Sequence, residues 1–167
     1  MELNGVKIWK TQVLWGKQRG VVLVSCEQKL FIERDEIIIL SLPGNVTEKE
    51  KNAFLKEALK NVLCQEIAIL MPKWEKITGL KCRSWFIGKS RRAWGWCRIH
   101  DQRIMLNEWL VHKPKECLEY VICHELCHLD QAKHGKRFAA LLNEHMPNWR
   151  EFEVLLNGKI PGYGKWK

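Results

Sequence analysis

The sequence predicts an α+β fold: N-terminal β-strands, a long scaffold helix, short antiparallel strands, and a histidine-bearing helix followed by C-terminal helices. Three observations carry that prediction. Apolar, β-branched runs recur in the first forty residues, one long helical periodicity follows Pro43–Asn45, and further helical patterns close the chain after short strand-like segments. At 167 residues the chain suits one domain. Residues 1–46 read as mostly β, 47–72 as the scaffold helix, and 73–167 as the core that carries the chemistry.

Taken in order, Val21–Val24, Leu30–Ile32 and Ile37–Leu42 are the strand candidates, parted by polar turns at Cys26–Lys29 and Arg34–Glu36. Pro43, Gly44 and Asn45 break the pattern. Thr47 and Glu50 form a capping box: the threonine hydroxyl takes an orphan N–H while the glutamate reaches back. Phe54, Leu55, Ala58, Leu59, Val62, Leu63, Ile67, Leu70 and Met71 then recur at helical spacing until Pro72 ends the prediction. From Lys73 to Asn107 the chain reads as irregular and rich in Trp, with short strands at Trp94–Arg98 and Arg103–Leu106 around a turn at His100–Gln102. Pro114 suits the first turn of a helix whose apolar face is Cys117, Leu118, Val121, Ile122 and Leu129. Gly135 interrupts, Lys136–Glu144 resumes helix, Pro147 breaks it, and Trp149–Leu156 forms a last short helix before a Gly/Pro-rich tail.

Hydrophobic residues make up 46 % of the chain and charged residues 28 %, a globular balance. The longest apolar runs, Gly20–Ser25 and Ile37–Leu42, fall far short of the roughly 20 residues of a membrane-spanning helix. The N-terminus shows no signal-peptide pattern, so the expected location is cytoplasmic, with no membrane partner. Seven cysteines, with no Cys-x-x-Cys pair, are expected to be reduced and mostly buried as small apolar groups. The net charge of +9 attracts nucleic acid, acidic protein segments or anionic surfaces. Tryptophans interleaved with Arg and Lys over Lys81–Cys97 could stack on bases, although packing is the commoner use of such rings.

The chemistry concentrates in His124–Glu125–Leu126–Cys127–His128. Residues four apart on a helix share a face, so both imidazoles can reach one zinc ion at about 2.0–2.1 Å. Glu125 is then placed to hold and deprotonate water as general base. A catalytic zinc takes three protein ligands and keeps one open position. His134, six residues on, is the expected third, brought back by a bend near Gly135; Glu144 or Glu151 from a later helix is the rival. Cys123 and Cys127 point about 100° away from the ligand face and are expected to pack. His145, Tyr120, His100 and Arg92 are candidate oxyanion donors, and Asp130, Glu119 and Glu144 candidate partners for the ligand imidazoles. His112, beside Pro114, reads as a surface loop residue.

Ile122–His134 with Gly135, Arg137 and Phe138, preceded by Arg92–Ala93–Trp94–Gly95–Trp96–Cys97, resembles the YgjP-like metallopeptidases, relatives of the SprT-like and WLM proteases. Leu106–Asn107 and Met146–Pro147–Asn148–Trp149 match further segments, and the likeness is good from about Lys73 to Arg150. Ala93 and Trp96 depart from the family's Arg-Trp-Gly-Ser-Cys pattern. The resemblance implies a minimal zincin-like α+β fold, one zinc ion per chain on the two helix histidines and the later one, and hydrolysis of a protein or peptide substrate. It also implies that the strand Arg103–Asn107 presents an open edge to an extended peptide.

Four functions follow from these readings. The first is a zinc metallopeptidase. The second is a DNA-associated, SprT-like protease that uses the basic surface. The third is a non-catalytic binding module stapled by zinc. The fourth is a zinc hydrolase of a non-peptide bond.

Overall fold

The computed structural model describes residues 2, 3 and 6–157, with side chains from residue 7 onward. In chain order the elements are β1 (Glu2–Leu3), β2 (Val6–Lys7), β3 (Lys10–Leu14), β4 (Lys17–Ser25), β5 (Leu30–Glu33), β6 (Ile37–Leu42), α1 (Glu48–Thr78), β7 (Ser84–Gly88), β8 (Gly95–Arg98), β9 (Arg103–Asn107), a 3-10 turn (Glu108–His112), α2 (Lys115–Cys127), α3 (Lys136–His145) and α4 (Trp149–Asn157). The Gly/Pro-rich tail with Trp166 lies outside the described residues. No helix among them is long and apolar enough to cross a membrane.

The first large sheet has the order β3-β4-β6-β5. β6 runs parallel to β4 and antiparallel to β5, and its Ile38, Leu40 and Leu42 turn into the core. The sequence reading omits β3, because Lys10, Thr11 and Gln12 give little apolar signal; pairing with β4 makes it a strand. The β3–β4 hairpin closes on Trp15 and Gly16, both with positive φ (51° and 76°), the geometry that matches strand twist in a two-residue turn. This tip is docked, not free. Trp15 N–H donates to the Val111 carbonyl at 2.9 Å, and a Cβ on Gly16 would lie 2.9 Å from Pro114 Cγ. The N-terminal sheet is thereby pinned to the start of α2.

α1 opens with the capping box in both directions: Thr47 N–H donates to Glu50 Oε2 at 2.7 Å, and Glu50 N–H to Thr47 Oγ1 at 3.3 Å. The helix does not end at Pro72; it continues to Thr78 and is capped by Gly79 at φ 71°. A proline inside a helix removes one hydrogen bond and crowds the preceding turn, at a cost of about 3 kcal/mol. Packing offsets it: Leu70, Met71 and Trp74 are buried on either side, and Trp74 Nε1–H donates to Glu119 of α2 at 2.8 Å. Burial of each such side chain contributes about 1.5–3 kcal/mol.

The second sheet has the order β7-β9-β8. β8 and β9 are antiparallel, as expected around their turn, whereas β7 joins β9 in parallel within a stretch expected to be irregular. Arg103–Asn107 is therefore the central strand, paired on both sides, and not an open edge. The edge lying against α2 is β8. α2 itself is buried nearly all round, Cys117, Leu118 and every residue from Tyr120 to Cys127 being inaccessible or almost so, the signature of a helix inside a core. One continuous apolar cluster runs from Leu14 to Leu156 around it. The seven cysteines are free; Cys117, Cys123 and Cys127 are buried as expected, while Cys26 and Cys64 are exposed.

Candidate metal centre

α2 delivers the two histidines. His124 is 6 % exposed in its last turn, and His128 is the C-cap residue with α-helical backbone angles. The chain then turns through Gln131 and returns, so that exposed His134 faces the helix just before α3 begins. One ligand nitrogen from each of the three histidines lies within 4.8 Å of the others, and His124 Nε2 stands 3.0 Å from His134 Nε2. Nitrogens sharing a tetrahedral zinc stand roughly 3.4 Å apart. Phe138 of α3 packs against all three, its centroid 4.8, 4.6 and 4.8 Å from the rings of His124, His128 and His134.

The outer nitrogens meet groups other than the carboxylates expected as their partners. His128 Nδ1–H donates to the Gln131 carbonyl at 2.9 Å. His124 Nδ1 is 3.3 Å from the Tyr120 hydroxyl, which accepts from it when Nε2 serves the metal. Tyr120 is fully buried, and its ring stacks on Trp149. The expected carboxylates are engaged or exposed elsewhere. Glu119 bonds Trp74 and Lys73, Asp130 is 4.0 Å from Arg137, and Glu144 is exposed. Glu151 is exposed on α4 and outside the cluster. Arg92 and His100 are exposed in loops flanking β8, and His145 is half-buried at the end of α3. His112 is no free loop residue: its Nδ1–H donates to the Val13 carbonyl at 2.7 Å.

Glu125 is 2 % exposed, and its Oε2 is buried with no hydrogen-bond partner. A buried carboxylate oxygen left alone is costly; a water held beside a metal would satisfy it. Space for this carboxylate comes from Gly95 of β8, where a Cβ would lie 2.8 Å from Glu125 Oε1 and from Val121 Cγ1. Burial pushes the Glu125 carboxyl up to about 8. Burial also holds His124 well below the ordinary imidazole value, aided by His128 and His134, and lowers His128 against the opposing pull of the Gln131 carbonyl. Both effects keep the lone pairs free. Three convergent imidazole nitrogens without thiolates, beside an orphaned carboxylate, fit a divalent ion such as zinc in a site with an open position. A cavity of about 240 Å³ adjoins it, lined by His124, His134, Phe138, Leu142, Trp149 and Glu153.

A family model described as the YgjP-like metallopeptidase domain matches residues 4–159. No curated protein matches the chain. Among solved structures, the crystal structure of the metallopeptidase zymogen of Pyrococcus abyssi abylysin is similar in fold. Its TM-score is 0.53 at 18 % identity, over 59 % of this chain and 98 % of that one.

Proposed function

This chain belongs to the YgjP-like metallopeptidase family, and from that premise we propose that it hydrolyses peptide bonds with His124, His128 and His134 holding one zinc ion and Glu125 as general base. The observation that carries the reading is the juxtaposition of three convergent imidazoles with a buried, unpartnered carboxylate oxygen. When bound there, zinc supplies activation of water and polarisation of the scissile carbonyl. Glu125 takes the proton from the attacking water at Oε2 and passes it to the leaving amine nitrogen. Tyr120 and the Gln131 carbonyl fix the ligand rings through their outer nitrogens. The free edge of β8, against α2, is where an extended substrate adds to the sheet, and the cavity beside His124 and His134 receives a side chain.

The test is zinc per chain, after removal of loose metal, together with proteolysis by Glu125→Gln. The expected result is one zinc in wild type and in Glu125→Gln, far less in His134→Ala, and proteolysis in wild type only. Full zinc in His134→Ala would remove that ligand from the reading. Undiminished biological activity in Glu125→Gln would favour a non-catalytic, zinc-stabilised module.

A further inference from the structure

The sheet that presents Gly95 to the candidate metal centre has a second face of different chemistry. A side chain at Gly95 would run into Glu125 and Val121, so Gly95 faces α2, together with its cross-strand neighbour Leu106. The next residue on each strand faces away. Phe86, Met105 and Trp96 form one row across β7, β9 and β8, and Arg103 and Arg98 stand side by side in the next. A Cβ on Gly88 would meet Met105 and Phe86, which places Gly88 on this outer face too.

The two rings meet edge to face, with centroids 5.5 Å apart. Arg103 lies 4.7 Å over the Phe86 ring and Arg98 5.5 Å over Trp96. Both rings are half-exposed and both arginines exposed. Covering Met105 needs only the rings; the stacked guanidiniums add fixed planes of N–H donors turned to solvent. Among the described residues Arg103 has no acidic partner, and Arg98 has only the half-buried Asp101 at 3.3 Å.

The surroundings carry the same sign. From Lys81 to Arg103 the chain has seven basic residues and one acidic, a net +6 where the whole chain carries +9. Lys81 and Arg83 lead into β7, and Lys89, Arg91 and Arg92 leave it, all exposed. An acidic peptide would answer the charge and leave the aromatic row unused. A strand of bases and phosphates answers both, since bases stack on aromatic rings and guanidinium planes while phosphates take the N–H donors. We propose that this outer face is a binding platform for single-stranded nucleic acid, with Phe86 and Trp96 stacking bases and Arg98 and Arg103 holding phosphates.

The test is fluorescence anisotropy of labelled 20-nucleotide single strands of DNA and of RNA with the full, zinc-loaded chain, at several salt concentrations. Duplex of the same length and an oligoglutamate peptide serve as competitors. Single strands of either sugar are expected to outcompete both. Trp96→Ala should weaken binding roughly 5- to 100-fold. Arg98→Gln with Arg103→Gln, which alters only exposed side chains, should flatten the log–log salt slope by about one to two units. The same charge removed from α1, as Lys56→Gln with Lys60→Gln, should change affinity about twofold or less. An unchanged affinity in the arginine pair variant would overturn the proposal, even if Trp96→Ala failed to fold. An equal loss in the lysine pair would reduce the effect to net charge. Stronger competition by oligoglutamate would assign the face to an acidic protein partner instead.

Discussion

At Gly95 one methyl group separates a working carboxylate pocket from a blocked one. A Cβ there would overlap Glu125 and Val121, neither of which can move far inside the core. Gly95→Ala is therefore expected to lower kcat at least about 100-fold while zinc content stays near one per chain, with a loss of about 1–3 kcal/mol in denaturant unfolding. Tyr120→Phe removes the acceptor for His124 Nδ1–H while keeping the ring stacked on Trp149. Zinc affinity in competition with a chelator should fall about 10- to 100-fold. Glu125 carries a pH signature in the metal-free protein. Its carboxyl is raised by burial from an unfolded value near 4.5 to about 8. The folded state then binds the proton more tightly, so this contribution to stability is complete below pH 4.5 and is lost as pH rises to about 8. Glu125→Gln should remove that slope, and the metal-free variant should be more stable than wild type at pH 8.

On the scale of single elements, α1 is a helix that tolerates its own breaker. Pro72 is exposed on the solvent side, opposite the stripe that ends at Trp74. Pro72→Ala restores a backbone donor without touching the packed face, and should raise unfolding stability by about 1–3 kcal/mol at unchanged m-value. The 3-10 turn before α2 gives a second readout. Burial lowers His112 below its ordinary value, although the Val13 carbonyl and Glu108 oppose this. A depressed histidine favours the fold while neutral. Its contribution is present above about pH 6.5 and is lost as pH falls toward the folded value. His112→Gln should flatten that acid limb of the stability curve.

For the molecule as a whole, the proposed metal ties α2 to the loop that precedes α3, two elements otherwise joined through Phe138 and the apolar cluster. Zinc at one hundred times its dissociation constant should stabilise wild type by about 2.7 kcal/mol, and a chelator should reverse it. The midpoint of His134→Ala should not respond to the same addition. A zinc-dependent midpoint in that variant would mean that the metal is held elsewhere.

The convergence of His124, His128 and His134 was legible from spacing and resemblance because a helix turn and a short return loop bring near neighbours together with little help from the rest of the chain. The capping box of α1, the core strands β4 and β6, and the C-terminal helices were legible for the same reason: their signals are local periodicities and end groups. Four features were decided by tertiary contacts. Burial of Trp74 carried α1 through Pro72, pairing with β4 and β9 made strands of β3 and β7, and β7 closed the edge that resemblance had left open on Arg103–Asn107. The partners of the candidate ligand imidazoles, a tyrosine hydroxyl and a backbone carbonyl, carry no residue-type signature of metal chemistry. Local sequence specifies which groups are able to bind a metal; only packing specifies what faces them, because burial and strand pairing depend on residues far away along the chain.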